Sequence, residues 1–335
     1  MTTVDTLQHQ DARSWLEPTL NTYTWSAAAA TLLFAAAMLA ISLNEATSAI
    51  IMLAAVLLVG VPHGAYDMEV GRQLLRQRFR RAWWIVFGGL YVASTILAGL
   101  FWIAAPVAGL AALLIGGALH WGVDDLEFRT ESLAQNLWLA FARGTIPVAM
   151  PLLFHPEETA RIFGVLVQAE TAWSTVQFIG AIAALIGAVG LVHQLLLAKA
   201  HNRDQAPRII AEIMALAVWF AITEPILAFT LYFCFWHAVR HSLRSAAEID
   251  PTDWSKALTG YVRAVLTPTI LTVLLAALAF VLLRGSFTAT EGVWRTTFIG
   301  LFALTVPHVV LEIVASKSHT IQSGNGSQLE RSERS

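Results

Sequence analysis

The chain has 335 residues, of which 56% are hydrophobic and only 13% charged, with a net charge of −2 and a mean hydropathy of +0.62. A soluble domain carries about a quarter charged residues, so half that share excludes one. No basic stripe with interleaved aromatics is present, which leaves no nucleic-acid partner to expect, and the single cysteine, Cys234, excludes both a disulfide within the chain and a thiolate metal cluster.

In chain order, the polar N-terminal segment 1–25 comes first. It lacks the short basic stretch that directly precedes the apolar core of a secretory signal, so the apolar run that follows is read as a retained helix. Runs of membrane-spanning length predict ten helices, over 26–43, 47–70, 83–104, 107–123, 136–154, 173–198, 208–223, 225–243, 260–283 and 294–315. The split between the seventh and eighth rests on Pro225 after Glu224, a pair suited to a turn. An unbroken helix over 208–243 would far exceed a bilayer. The Gly/Ser-rich residues 317–335 are expected to form a disordered tail. The fold class expected is all-α, a polytopic membrane helix bundle with residues 26–316 as a single catalytic domain.

Basic residues accumulate in cytoplasmic loops. Arg72, Arg76, Arg78, Arg80 and Arg81 follow the second span, and Lys199, Arg203, Arg208, Arg240, Arg244, Lys256 and Lys317 fall on the same side. The opposite side holds Arg161, Arg284 and Arg295. Both termini are therefore expected in the cytoplasm, in a multi-pass protein of the cell inner membrane.

That orientation aligns four histidines. Spans two, four, eight and ten run toward the cytoplasm, and His63, His120, His237 and His308 sit in their last turns. At about 1.5 Å of rise per residue, all four lie within about 10 Å of the inner surface. A single intramembrane histidine reads readily as a hydrogen-bonded packing residue. Four in one layer argue for a transition metal, since ionisable groups in a membrane face the bundle interior with a partner and imidazole suits iron, copper, zinc and nickel.

The local spacing repeats. Asp67 follows His63, Asp124 follows His120 and Glu312 follows His308, each at i+4, and His241 follows His237 at the same offset. Such pairs share a helix face. Both histidines of "HAVRH" reach one ion, or one binds while the other orients it. The three carboxylates accept the free ring N–H of the ligands, or bind a second metal, or are ordinary interfacial acids. Trp121 and Trp236 adjoin proposed ligands and are candidate walls of an apolar pocket, while most of the 12 tryptophans fall near span ends as an interfacial belt. Arg143 is expected to snorkel to the surface or to face the site. His9, His155, His193, His201 and His319 are expected to be solvated or structural. Walker, Rossmann, G-x-S-x-G and H-E-x-x-H motifs are absent, so nucleotide chemistry, nucleophilic hydrolysis and zinc proteolysis lack their signatures.

The blocks "GVPHGAYD" (60–67), "LHWGVDD" (119–125), "YFCFWHAVRH" (232–241) and "TFIGLFALTVPHVVLE" (297–312) resemble the Brp/Blh family of membrane β-carotene 15,15′-dioxygenases, in the family's order from span two to span ten. The chain departs from that pattern in its extra N-terminal segment and first span, and in Trp121 where the pattern has Phe. The resemblance implies oxidative cleavage of the central double bond of β-carotene by O2 to two molecules of retinal. It implies Fe(2+) held by His63, His120, His237 and His241, with His308 as a further candidate ligand. Five imidazoles on one octahedral ion would leave a single open position, so one of the five is expected to act indirectly. Membrane lipid and a retinal-using rhodopsin are the implied partners. The competing readings are a haem-binding electron carrier, an intramembrane proton or ion transporter, and a two-metal oxygenase or desaturase using the carboxylates as bridges.

Overall fold

The computed structural model describes residues 3–126, 130, 132–201 and 205–332, with side chains over 15–126, 130, 132–200 and 205–315. Every regular element in it is helical. In chain order these are α1 (Thr3–Met38), α2 (Glu45–Ala55), α3 (Val61–Ala65), α4 (Asp67–Phe79), α5 (Trp83–Ala104), α6 (Pro106–Asp125), α7 (Leu133–Phe154), α8 (Pro156–Val167), α9 (Trp173–His201), α10 (Gln205–Ile222), α11 (Pro225–Leu231), α12 (Val239–Ile249), α13 (Trp254–Arg284) and α14 (Ala289–Ser332). Two π-helical segments, Val56–Gly60 and Tyr232–Ala238, join α2 to α3 and α11 to α12.

Local chemistry sets the boundaries. Asn44, Ser132 and Asp253 cap α2, α7 and α13, each accepting a backbone N–H of the first turn. Hydrogen bonds from the first-turn amides, led by that of Lys256, hold the half-buried Asp253 carboxyl below its usual range. Pro106, Pro156 and Pro225 open α6, α8 and α11, where the missing N–H costs nothing. The expected break at 223–225 is present. The polar N-terminal segment is helical from Thr3 and continuous with the first apolar run. Helix α14 runs on through Ser332, over residues 317–332 expected as a disordered tail; residues 333–335 lie outside the described residues.

Among the described residues, seven stretches are long and apolar enough to cross a membrane. One of them, Glu45–Ala104, contains two of the expected spans. The expected first and eighth spans, in α1 and in Pro225–Ile249, fall short of that apolarity, the eighth because it carries His237, Arg240 and His241. The amphipathic α8 was not expected.

Lipid tails are as apolar as leucine, so large apolar residues face outward and small ones mediate helix contact. Leu100, Leu185, Leu196, Leu274 and Val281 are all exposed. The α6–α7 crossing is the closest approach: a Cβ on Gly122 would lie 1.7 Å from the Ala140 carbonyl oxygen, and one on Gly144 1.7 Å from that of Ala118. Gly144→Ala is therefore expected to push α6 from α7 and cost about 1–3 kcal/mol, read as a lower thermal unfolding temperature in detergent. Gly99→Ala meets nothing within 4 Å and should stay within about 0.5 kcal/mol of the parent.

Candidate metal centre

The four histidine-bearing helical stretches converge. His63 stands at the start of α3, directly after the first π segment, and His237 lies within the second. Such segments admit an extra residue per turn and recur at functional sites. The His63 ring centroid lies 5.3 Å from those of both His237 and His241 and 5.8 Å from that of His308. His120 lies 5.1 Å from His237 and 4.9 Å from His308, and His241 lies 5.5 Å from His308. All five expected imidazoles thus form one cluster.

Four of these rings are anchored through Nδ1. His63 donates to the Gly60 carbonyl oxygen, His241 to Asp124 Oδ2 at 2.6 Å, and His308 to Asp67 Oδ1 at 2.7 Å. His120 Nδ1 lies 3.2 Å from Glu312 Oε2. Tyr91 donates to the other Asp67 oxygen at 2.8 Å. The carboxylates are the expected ones, but their pairing crosses between helices. Asp67, beside His63, serves His308; Glu312, beside His308, serves His120; Asp124, beside His120, serves His241. Side chains at i and i+4 project in parallel from one face, so each meets a ring reaching in from a facing helix rather than its own neighbour. Glu312 also approaches its own helix's imidazole, at 3.5 Å from His308 Nε2.

What remains is a set of buried ring nitrogens that make no hydrogen bond: His120 Nε2, His308 Nε2, and both nitrogens of His237, whose side chain is fully buried and lies 4.0 Å from Asp124. Buried polar atoms are nearly always hydrogen-bonded, and imidazoles with one nitrogen anchored and the other free are the donor set of a metal site. Ligating atoms of His63, His120 and His308, of His120, Asp124 and His237, and of His241, His308 and Glu312 lie within 4.8 Å of one another. The residues fit a transition-metal ion.

Beside this cluster lies a network that the sequence reading missed. Arg240 makes a two-pronged ion pair with Glu212, at 3.0 and 2.9 Å, and reaches Asp125 at 3.2 Å. Arg143 pairs with Glu212 at 2.7 Å, and Tyr232 donates to Asp125 at 3.1 Å. All five side chains are buried. Arg143 therefore does not snorkel, and Arg240 is not a loop charge facing the cytoplasm; each is drawn inward by Glu212. An acid inside the apolar run "IIAEIMALAVW" was the available signal, because an intramembrane carboxylate requires a partner. The network ties α6, α7, α10 and α12 together next to Asp124 and His241.

An apolar cavity of about 600 Å3 opens against the cluster. His63, His120, His308, Asp67 and Tyr91 form its polar wall, and Trp121, Phe229 and Phe233 its aromatic one. Trp121 is thus where expected. Trp236 is not: its indole donates to Thr31 Oγ1 on α1 at 3.1 Å and its ring lies under the Arg240 guanidinium. His155 bonds the Phe220 carbonyl oxygen and His193 lies within hydrogen-bonding distance of Gln135, both structural contacts; the side chains of His9, His201 and His319 lie outside the described residues.

Fold and site together define a protein of apolar, membrane-type helices, with a cluster of imidazoles able to hold a metal ion beside an apolar cavity. A family model described as β-carotene 15,15′-dioxygenase matches residues 54–314, and the chain belongs to that family. A β-carotene 15,15′-dioxygenase of an uncultured marine bacterium, 66A03, is 27% identical over 266 residues, 77% of this chain and 90% of its own length. A protein named probable β-carotene 15,15′-dioxygenase Blh, from Halobacterium salinarum, is 29% identical over 244 residues, 63% of this chain and 66% of its own. No solved structure matches. The matched region contains all five histidines and the three carboxylates, and omits α1.

Proposed function

We propose that this protein cleaves the central 15,15′ double bond of β-carotene with O2 at a histidine-held Fe(2+), giving two molecules of retinal. The observation that carries the reading is the group of imidazole nitrogens that make no hydrogen bond, buried at the wall of an apolar cavity. His63, His120, His237, His241 and His308 are the residues that would hold the metal, and bound iron would supply the redox chemistry that O2 requires. The two-metal alternative is disfavoured at Asp67, whose oxygens are both taken, by His308 and Tyr91.

The chain's own residues do the rest. Gly60, Asp67, Asp124 and Glu312 fix tautomer and ring direction, so that Nε2 is the free nitrogen of the rings they anchor. Tyr91 in turn fixes Asp67. Trp121, Phe229 and Phe233 hold a flat polyene against the polar wall and exclude water, which orients the reacting bond. Asp67→Asn is expected to lower metal affinity about 10–100-fold, measured by competition with a chromophoric chelator, while leaving the fold intact.

The ten-crossing arrangement belongs to the same reading. Support for it comes from the helices themselves: the stretch Glu45–Ala104 is long enough for two crossings, and α1 and Pro225–Ile249 are each long enough for one. We assign residues 26–316 as one catalytic unit in the cell inner membrane, with both termini cytoplasmic, supplying retinal to a rhodopsin.

The test is expression in β-carotene-accumulating bacteria, with retinal and carotene quantified by chromatography. Retinal from the parent chain and none from His63→Ala is the expected result. Unchanged carotene alongside folded, iron-loaded protein would reject the carotenoid substrate.

A further inference from the structure

The cavity has a buried wall and an exposed, apolar one. The buried wall includes Leu152, Leu166 and Ile226, each at most 2% exposed. The exposed wall includes Val92 and Ile96 of α5 and Leu271 and Leu275 of α13, which are 49%, 56%, 55% and 58% exposed. Helices α5 and α13 both pack on α14 yet scarcely touch each other. The surrounding exposed residues of α13, Leu274 and Leu278, are apolar, so this wall lies at hydrocarbon rather than at water.

Helix α13 is divided at this point. Its buried residues, Ala257, Tyr261 and Val265, all precede Pro268. The Tyr261 hydroxyl donates to the Pro62 carbonyl oxygen at 3.0 Å, next to His63, and lies 2.8 Å from Ser242 Oγ. Beyond Pro268, which itself lines the cavity, the helix is exposed over Leu271, Leu274, Leu275, Leu278, Val281 and Leu282. Proline has no N–H to continue the helical ladder and is a usual cause of bending. One half of α13 is pinned beside the metal centre; the other is held to α14 at its far end, where the Leu283 carbonyl oxygen accepts from Arg295 Nε at 3.1 Å, and is exposed to its surroundings in between.

We propose that the cleft between α5 and the outer half of α13 is the lateral portal through which the carotenoid enters from the bilayer, with Pro268 at its edge and Leu271 and Leu275 as its lip. The proposal rests on the carotenoid reading above. A polyene dissolved in lipid then moves from one apolar surrounding to another, and no hydrophobic transfer penalty is met on the way.

The test blocks the portal after folding. Leu275→Cys, purified with its metal, is treated with a bulky lipophilic maleimide; Cys234 is fully buried, so the added thiol is the reactive one. Leu274→Cys, adjacent but not lining the cavity, is the control, and attachment is verified by mass. Modification at residue 275 is expected to lower kcat/KM for β-carotene at least about tenfold with unchanged bound metal, and at residue 274 by less than about twofold. Leu271→Trp should behave like the blocked Leu275→Cys, and Leu278→Trp like the parent. Equal activity of the verified 275 and 274 adducts would overturn the portal while leaving the enzyme reading in place. An unmodified parent that forms no retinal would overturn the reading and the portal with it.

Discussion

Glu212→Gln is expected to destabilise the protein severely. The Glu212 side chain is 1% exposed and holds two guanidinium groups, Arg143 at 2.7 Å and both prongs of Arg240. Glutamine is nearly the same size, so the change isolates charge: two buried cations are left with Asp125 as the remaining carboxylate of the network. Breaking a buried ion pair by removing one partner costs about 3–5 kcal/mol, against about 5–15 kcal/mol for a whole domain. The readout is the yield of monodisperse protein and its thermal unfolding temperature in detergent. Glu212→Asp keeps the charge and should recover part of the loss. A Glu212→Gln protein as stable as the parent would mean that the network does not hold α7, α10 and α12 together.

His237→Ala is expected to have the second largest effect, on chemistry rather than folding. The His237 ring is fully buried between His63, His120 and His241, and neither nitrogen has a hydrogen-bond partner. A packing histidine would be anchored, as His155 is by the Phe220 carbonyl; an imidazole without hydrogen bonds in a layer of imidazoles is explained by an ion. The variant should lose metal and reduce retinal formation by more than the about 100-fold that follows loss of a partner that only orients a ligand. Metal content by elemental analysis and retinal by chromatography check both. Full metal loading with full activity would return His237 to the role of a core residue.

The histidine layer was legible because it needs only two facts from the sequence: the span each histidine occupies and the direction of that span. Positive residues supplied the direction that was assumed, although one of them, Arg240, proves to be buried. The break at Pro225 was legible because proline constrains its own residue and the one before it. What could not be read was everything that depends on which faces meet. The i+4 spacing put Asp67 and His63 on one face but could not show that this face is turned to His308, so each carboxylate does meet an imidazole, but one from a facing helix. Arg143 and Glu212 are 69 positions apart in the sequence, and each alone is compatible with a surface charge; only the packing of α7 against α10 makes them a pair. Trp236 adjoins His237 in sequence yet faces α1, because neighbouring positions on a helix point about 100° apart.

The central claim is that an iron ion held by these imidazoles cleaves β-carotene. Its most direct measurement is retinal formation by purified protein that has been stripped with a chelator and then resupplied anaerobically with single metals before exposure to O2. The account predicts no retinal from the stripped protein, recovery with Fe(2+) at a stoichiometry equimolar with the chain, and no recovery with Zn(2+) occupying the same site. Retinal formation that persists after complete metal removal, or that returns with Zn(2+) as fully as with Fe(2+), would contradict it.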